Sequence, residues 1–105
     1  MLIITKLKMP RPKKNRRICC EPSAYFFKPR GVPMFKLSEI VIEHDELESL
    51  RLADIEKMSH EEGAKAMKIS RATFGRILEK ARLKTADAIL NGKAIRIENT
   101  NNNGE

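Results

Sequence analysis

Residues 59–78, SHEEGAKAMKISRATFGRIL, contain two short helical patterns separated by a turn. Ala64 is a small residue at the position where two helices meeting at a steep angle approach each other most closely. Four apolar residues have the spacing that points into the angle between the helices: Met67, Ile69, Phe74 and Ile77. This arrangement predicts a helix-turn-helix.

The second helix of the motif presents a polar outward face. Ser70 is placed to be its N-cap. The residues that a DNA major groove could receive are Arg71, Ala72, Gly75, Arg76 and Lys80. Arg71 and Arg76 are the first candidates for base or phosphate contact, because a guanidinium group forms paired hydrogen bonds with either. Ser70 and Thr73 would donate to phosphate from the start of the helix, and plain capping is the alternative for Ser70.

Charge is distributed unevenly along the chain. Residues 1–36 carry +9, residues 37–69 carry −5 and residues 70–105 carry +3, which gives +7 overall. The cations therefore gather on an N-terminal arm and on the second helix of the motif, which favours a nucleic-acid partner. The acidic supporting helices are expected to face away from phosphate. Further along the second helix, Lys80 and Arg82 are expected to contact the DNA backbone.

The N-terminal arm is rich in proline as well as in basic residues. Its prolines, from Pro10 to Pro33, predict an extended segment. Five cations could follow a minor groove or the phosphate backbone: Arg11, Lys13, Lys14, Arg16 and Arg17. A solvated tail is the alternative reading of such a charge run. Phe26 and Phe27 are expected to anchor the arm by packing on the domain.

Length and composition narrow the function classes. A chain of 105 residues with a polar tail can build one small domain, so no enzymatic cleft and no catalytic residues are expected. No apolar run is long enough to cross a bilayer, and a cytoplasmic protein with no membrane partner is predicted. Cys19 and Cys20 are adjacent and are interpreted as reduced thiols. Together with His44 and His60 they lack the spacing of a zinc site, so neither a metal nor a cofactor is predicted.

Three helices and three regions are predicted. Asp45, with Glu48 three residues later, would cap the first helix of the domain. Ser59 with Glu62 would cap the second helix of the domain, which is the first helix of the helix-turn-helix motif. The third would run from Arg71 to about Leu90, before Asn91-Gly92. Its inward residues would be Phe74, Ile77, Leu78, Ala81, Ala88 and Ile89. The regions are 1–36, an extended basic arm partly packed on the core; 37–92, the helix-turn-helix domain; and 93–105, a short strand-like segment with a disordered tail. The strand at 93–97 could pair with the stretch around Arg17 to Cys20.

Most of the chain resembles a family of small, mostly uncharacterised bacterial and archaeal proteins predicted to bind DNA. Their helix-turn-helix is similar to region four of housekeeping-type sigma factors. The resemblance rests on MPRPKKNRRICCEP at 9–22, FKPRGVP at 27–33, residues 45–82 and NGKAIRIE at 91–98. It implies a mainly α, three-helix domain of the winged-helix-like DNA-binding superfamily, with a third helix that reads DNA.

Two positions depart from the family pattern. Relatives often have cysteine where this chain has Asn15, which weakens a metal site carried over from them. The turn position that commonly holds glycine is Lys68. A lysine there would take the left-handed conformation at a cost of about 1 kcal/mol, unless the turn is of a type without that requirement.

The sequence therefore predicts a sequence-specific, non-enzymatic DNA-binding protein, a transcriptional regulator whose third helix (71–90) enters the major groove of double-stranded DNA. Two alternatives stay open: a protein-interaction module that docks on RNA polymerase or another protein of the transcription machinery, and an RNA-binding protein that uses the arm. A homodimer is compatible with the chain, because one such module reads only a few base pairs. No heptad seam indicates where a second copy would sit.

Overall fold

The structure is a computed structural model that describes residues 17, 18 and 21–98. Its elements, in chain order, are β1 (Phe26–Phe27), β2 (Glu39–Ile42), α1 (His44–Leu50), α2 (His60–Met67), α3 (Arg71–Asn91) and β3 (Ala94–Ile97). A 3-10 turn covers Met34–Lys36 and a π-helical segment covers Arg51–Ile55. The three predicted helices are confirmed. The predicted mainly α, three-helix domain is confirmed in part, because three strands also form one sheet.

Helix α1 begins earlier than the sequence pattern indicates. Its N-cap is Glu43, whose backbone N–H donates to Oε1 of Glu46 at 2.9 Å, as part of a capping box. The predicted cap, Asp45, is instead buried in the first turn. The pairs Glu43 with Glu46 and Asp45 with Glu48 both have the spacing of a capping box. The first pair is used because β2 ends at Ile42, immediately before Glu43.

The helices α2 and α3 are joined by a tight turn. The predicted capping box of Ser59 and Glu62 is confirmed at the start of α2. At its end, Lys68 adopts the left-handed conformation (φ 60°, ψ 46°), and the N–H of Ile69 donates to the carbonyl of Ala64 at 3.0 Å. These are the features of a Schellman ending, which satisfies the last carbonyls of the helix. Ser70 then caps α3, as predicted, by accepting a hydrogen bond from the N–H of Thr73 at 3.1 Å.

The main core fills the space between these helices. Its fully buried members are Leu52, Ala64, Met67, Phe74 and Leu78. Phe74 of α3 packs closely against Gly63 of α2, the residue before Ala64. A Cβ atom placed on Gly63 would lie 2.4 Å from Cζ of Phe74, so the aromatic ring occupies the space that a side chain would need.

The sheet has the order β1, β3, β2, with β3 antiparallel to β1 and parallel to β2. The predicted strand at 93–97 is confirmed as Ala94–Ile97, but its predicted pairing is wrong. It pairs with Phe26–Phe27 and Glu39–Ile42, while the N–H of Arg17 donates to the carbonyl of Met67. β1 thus belongs to the sheet, although the sequence placed it in the arm.

Three apolar side chains that were expected to pack inward are exposed. They are Phe26, Phe27 and Ile89. The basic residues Arg11, Lys13, Lys14 and Arg16, the cysteines Cys19 and Cys20, and the tail at 99–105 lie outside the described residues. Within the described part of the chain, no helix is long and apolar enough to span a membrane.

Candidate nucleic-acid interface

The first half of α3, residues 71–80, presents the predicted outward face. Arg71, Ala72, Arg76 and Lys80 are exposed. Arg71 and Lys80 form no hydrogen bond or ion pair with any described residue. Their charges are therefore available to a partner. Gly75 is only partly exposed and lies near His60. A Cβ placed on Gly75 would be 3.6 Å from Nδ1 of His60.

A chain of side-chain hydrogen bonds runs along the start of this face. The hydroxyl of Ser70 donates to Oγ1 of Thr73 at 2.8 Å, and Nη2 of Arg76 donates to the same oxygen at 3.3 Å. Thr73 thus connects the N-cap to the arginine one turn later. These contacts restrain the Arg76 guanidinium before any partner arrives, which reduces the entropic cost of binding.

Five other cations of the folded part are neutralised by carboxylates of their own chain. Nη2 of Arg82 lies 2.6 Å from Oδ1 of Asp54, and the hydrogen bonds from Arg82 hold the pKa of Asp54 below its usual range. Nζ of Lys84 lies 2.7 Å from Oε1 of Glu46, and Nζ of Lys93 lies 2.8 Å from Oδ2 of Asp87. Arg51 pairs with Glu48, and Arg96 pairs with Glu39. Arg82, which was predicted to contact the DNA backbone, is therefore engaged elsewhere.

The acidic start of α1 lies beside this helix rather than away from it. A groove of about 560 Å³ separates the two elements. It is lined by Glu43, Asp45, Glu46, Thr73, Arg76, Ile77, Glu79, Lys80 and Leu83. Arg76 and Lys80 thus line the groove together with these carboxylates, whereas Arg71 lies on the opposite edge of α3. Whether the acidic faces point away from phosphate, as the sequence predicts, stays a prediction.

The described end of the basic arm lies near the same turn. The backbone N–H of Arg17 donates to the carbonyl of Met67 at 3.1 Å, in the last turn of α2. Met67 immediately precedes the exposed Lys68, and α3 begins three residues later. The arm therefore joins the domain beside the start of α3. The sequence alone contained no signal for this contact.

The described residues contain no group of three His, Cys, Asp or Glu side chains that could hold a metal ion. His44 lies near Glu98, with Nε2 and Oε1 4.0 Å apart, and His60 packs edge-on against the ring of Phe74. The two histidines therefore serve different parts of the fold.

Comparison with known proteins identifies relatives over most of the chain. A UPF0251 protein of Desulfosudis oleivorans is 55% identical over 93 residues, which cover 89% of this chain and 67% of that protein. A UPF0251 protein of Thermoanaerobacter pseudethanolicus is 53% identical over the same share of this chain and 79% of its own length. One from Vibrio vulnificus is 46% identical over 97 residues, which cover 92% of this chain and 97% of that protein. No solved structure matches.

The family described as "Protein of unknown function DUF134" matches residues 6–103. The chain belongs to this family. The predicted resemblance to a family of bacterial proteins without an assigned function is confirmed at that level.

Proposed function

We propose that this member of the DUF134 family is a sequence-specific DNA-binding protein, a cytoplasmic transcriptional regulator that inserts the first half of α3 into the major groove. The observation that carries this proposal is the set of exposed cations Arg71, Arg76 and Lys80 on the first half of a capped helix, none of which forms an ion pair with a described residue. Phosphate binding requires available positive charge, and the major groove is wide enough to admit an α-helix.

The local geometry supports a helix-turn-helix reading of α2 and α3. The turn between them has three residues, and the second helix carries small Ala72 and Gly75 beside its arginines. Small side chains allow the helix to approach the base edges closely, while Arg76 and Arg71 supply the forked donors that guanine accepts. The similarity to sigma region four and to winged-helix-like domains is part of this proposal.

The arm supplies the second part of the proposed interface. Arg17 is held beside the start of α3. We extend the proposed interface to the basic residues that precede it in the sequence. They would follow a phosphate backbone or a minor groove and add affinity without sequence preference. The helix and the arm would thus divide sequence selection and general affinity between them.

The test is fluorescence-anisotropy titration of the full chain with a pool of duplex DNA, over a salt series. Arg71→Ala combined with Arg76→Ala is expected to remove site preference. Deletion of residues 1–16 is expected to reduce the salt dependence of affinity by about 0.9 logarithmic units for each phosphate that the shortened chain no longer binds. Arg82→Ala is the matched control on α3, because its guanidinium is already paired, and it should leave both properties nearly unchanged.

Absence of duplex binding at low salt would refute the proposal. A single-stranded RNA competitor that displaces duplex DNA completely would favour the RNA-binding alternative. Binding to RNA polymerase without any duplex affinity would favour the protein-docking alternative, in which the acidic helices form the contact.

A further inference from the structure

The second half of α3, residues 81–91, exposes an apolar row to solvent. Leu83 is 68% exposed and Leu90 is 82% exposed. They are seven residues apart, which is two helical turns, so they lie on the same side of the helix with the exposed Ala86 between them. Ile89, at 71% exposed, borders the row. A helix face in contact with water normally carries polar residues here.

Three charged residues beside this row are neutralised within the chain. Arg82 pairs with Asp54, Lys84 pairs with Glu46, and Asp87 pairs with Lys93. A partner that covers the row at these three positions would therefore not bury an uncompensated charge there, which is the costly event at an interface. Apolar residues at the centre with charged residues satisfied at the rim are typical of protein–protein contacts.

The two leucines of the row lie at nearly equal distances on either side of Ala86, so the row can pack against an antiparallel copy of itself. We propose that a second copy of this chain packs on it, with the two α3 helices antiparallel about a twofold axis near Ala86. In this arrangement Leu83 of each copy lies opposite Leu90 of the other, as an isologous interface requires. Ala86 leaves room at the centre for the helices to approach. Nothing in this step depends on the proposed function.

The exposed apolar area agrees with a dimer of modest affinity. Leu83, Ile89 and Leu90 together present on the order of a few hundred Å² per copy, at the upper end of what a monomer exposes in one patch. Phe27, exposed on β1, shares a surface cavity of about 360 Å³ with Ile89 and extends the patch toward the sheet. A stable dimer buries about 800 Å² per subunit, so the row and these neighbours supply its apolar centre.

The positive charge of the chain does not oppose this contact. The chain carries +7, but Arg71 and Arg76 lie on the other half of the helix. Their midpoint is about 19 Å along the helix from the centre of the row, at about 1.5 Å per residue. This exceeds the screening length of about 8 Å at physiological salt. Two copies can therefore join at their apolar ends with the cationic ends uncovered.

The test is sedimentation equilibrium of the full chain without DNA and with a reducing agent, so that the cysteines cannot link two copies. The wild type is expected to approach twice its 12.0 kDa mass as concentration rises. Leu83→Gln combined with Leu90→Gln should remain at the monomer mass. Ile55→Gln is the matched control, because Ile55 is equally exposed, at 73%, but lies outside the row.

A second measurement tests the position of the axis. Ala86→Cys, in a chain with Cys19→Ser and Cys20→Ser, should be crosslinked to a dimer by a short bismaleimide, whereas Ile55→Cys in the same chain should not. A monomer at all concentrations would overturn the proposal, and so would a dimer that persists in the double glutamine variant. Either result leaves the DNA titrations unaffected, because no nucleic acid is present.

Discussion

The two halves of α3 form one continuous helix, yet they differ in how their charges are used. In the first half, Arg71 and Lys80 have no partner in the described part of the chain. In the second half, Arg82 and Lys84 are bound to carboxylates, and the outermost side chains are apolar. Counting the charges of a helix therefore does not locate a polyanion-binding surface. What matters is which charges the rest of the fold has left available.

The buried faces of the two halves differ in the same way. In the first half, Phe74 packs against Gly63 of α2, and this contact holds α3 against α2. The second half packs small Ala81 and Ala88 inward and is tied to α1 and β2 by the ion pair and hydrogen bond of Lys84. Each half thus has its own attachment to the domain, and each attachment can be broken separately.

The largest expected effect comes from the attachment of the second half. Lys84→Met would leave the carboxylate of Glu46, which is 2% exposed, without its cation, while keeping the length of the side chain. Removing one member of a buried pair is costly, and we expect a loss of about 3 kcal/mol in the free energy of unfolding. Urea unfolding followed by circular dichroism measures it.

The matched control lies one turn earlier on the same helix. Lys80→Met changes the same side chain where no partner is described, and it should stay within about 0.5 kcal/mol of the wild type. Equal losses for the two variants would show that the halves do not differ in charge pairing.

The attachment of the first half is tested at two glycines. Gly63→Ala would force a Cβ to within 2.4 Å of Phe74, whose ring is fully buried and cannot move freely. We expect a loss of about 2 kcal/mol in unfolding free energy from overpacking. Gly75→Ala meets only an ordinary contact with His60, and the better helix propensity of alanine should stabilise by about 0.5–1 kcal/mol. Opposite signs in thermal unfolding are the expected result, and a neutral Gly63→Ala would contradict the packing.

Local signals in the sequence predicted most of the helical part. Ser59 and Ser70 cap their helices as expected, and Gly92 ends α3 in the left-handed conformation. These features depend on side chains within four residues of the backbone groups that they satisfy. The same local rule failed at Asp45, because two acidic pairs fit it and only the end of β2, a neighbouring element, selects Glu43.

Long-range features could not be read from the sequence. The contact between Lys84 and Glu46 joins residues 38 positions apart, and the partners of β3 lie on both sides of it in the sheet. The sequence predicted which residue types lie on the outward face of α3, but not which of their charges other parts of the chain neutralise. The pairing of Arg82 with Asp54 could not be predicted, because the two residues are 28 positions apart. Ile89 fits the helical period of an inward residue, but the fold places no described element over it.

A smaller effect concerns the turn that starts the first half. Lys68 has φ 60°, a conformation that strains any residue with a Cβ. Lys68→Gly should therefore stabilise the fold by about 0.5–1 kcal/mol, after allowance for the greater freedom of glycine in the unfolded chain. Lys68→Ala removes the charge but keeps the strain, so it should not stabilise. A gain in both variants, measured by urea unfolding, would assign the effect to charge rather than to conformation.

The smallest expected effect comes from the ion pair between Asp54 and Arg82. Without it, Arg82 in the second half of α3 would be as unpaired as Arg71 in the first half. Hydrogen bonds from Arg82 lower the pKa of Asp54, and those from Lys93 lower the pKa of Asp87. A carboxyl group whose pKa is lower in the folded chain stabilises the fold above its unfolded pKa, near 3.9, and loses that contribution as pH falls through the folded pKa. Because Asp54 is exposed, its contribution should be only a few tenths of a kcal/mol.

In a plot of unfolding free energy against pH, Asp54→Asn should slightly reduce the slope of the acid limb. Arg82→Gln should reduce it equally, because either variant removes the same pair. An acid limb of Asp54→Asn that coincides with the wild type would mean that Arg82 is as available as Arg71, and that the contrast in charge pairing fails at this position.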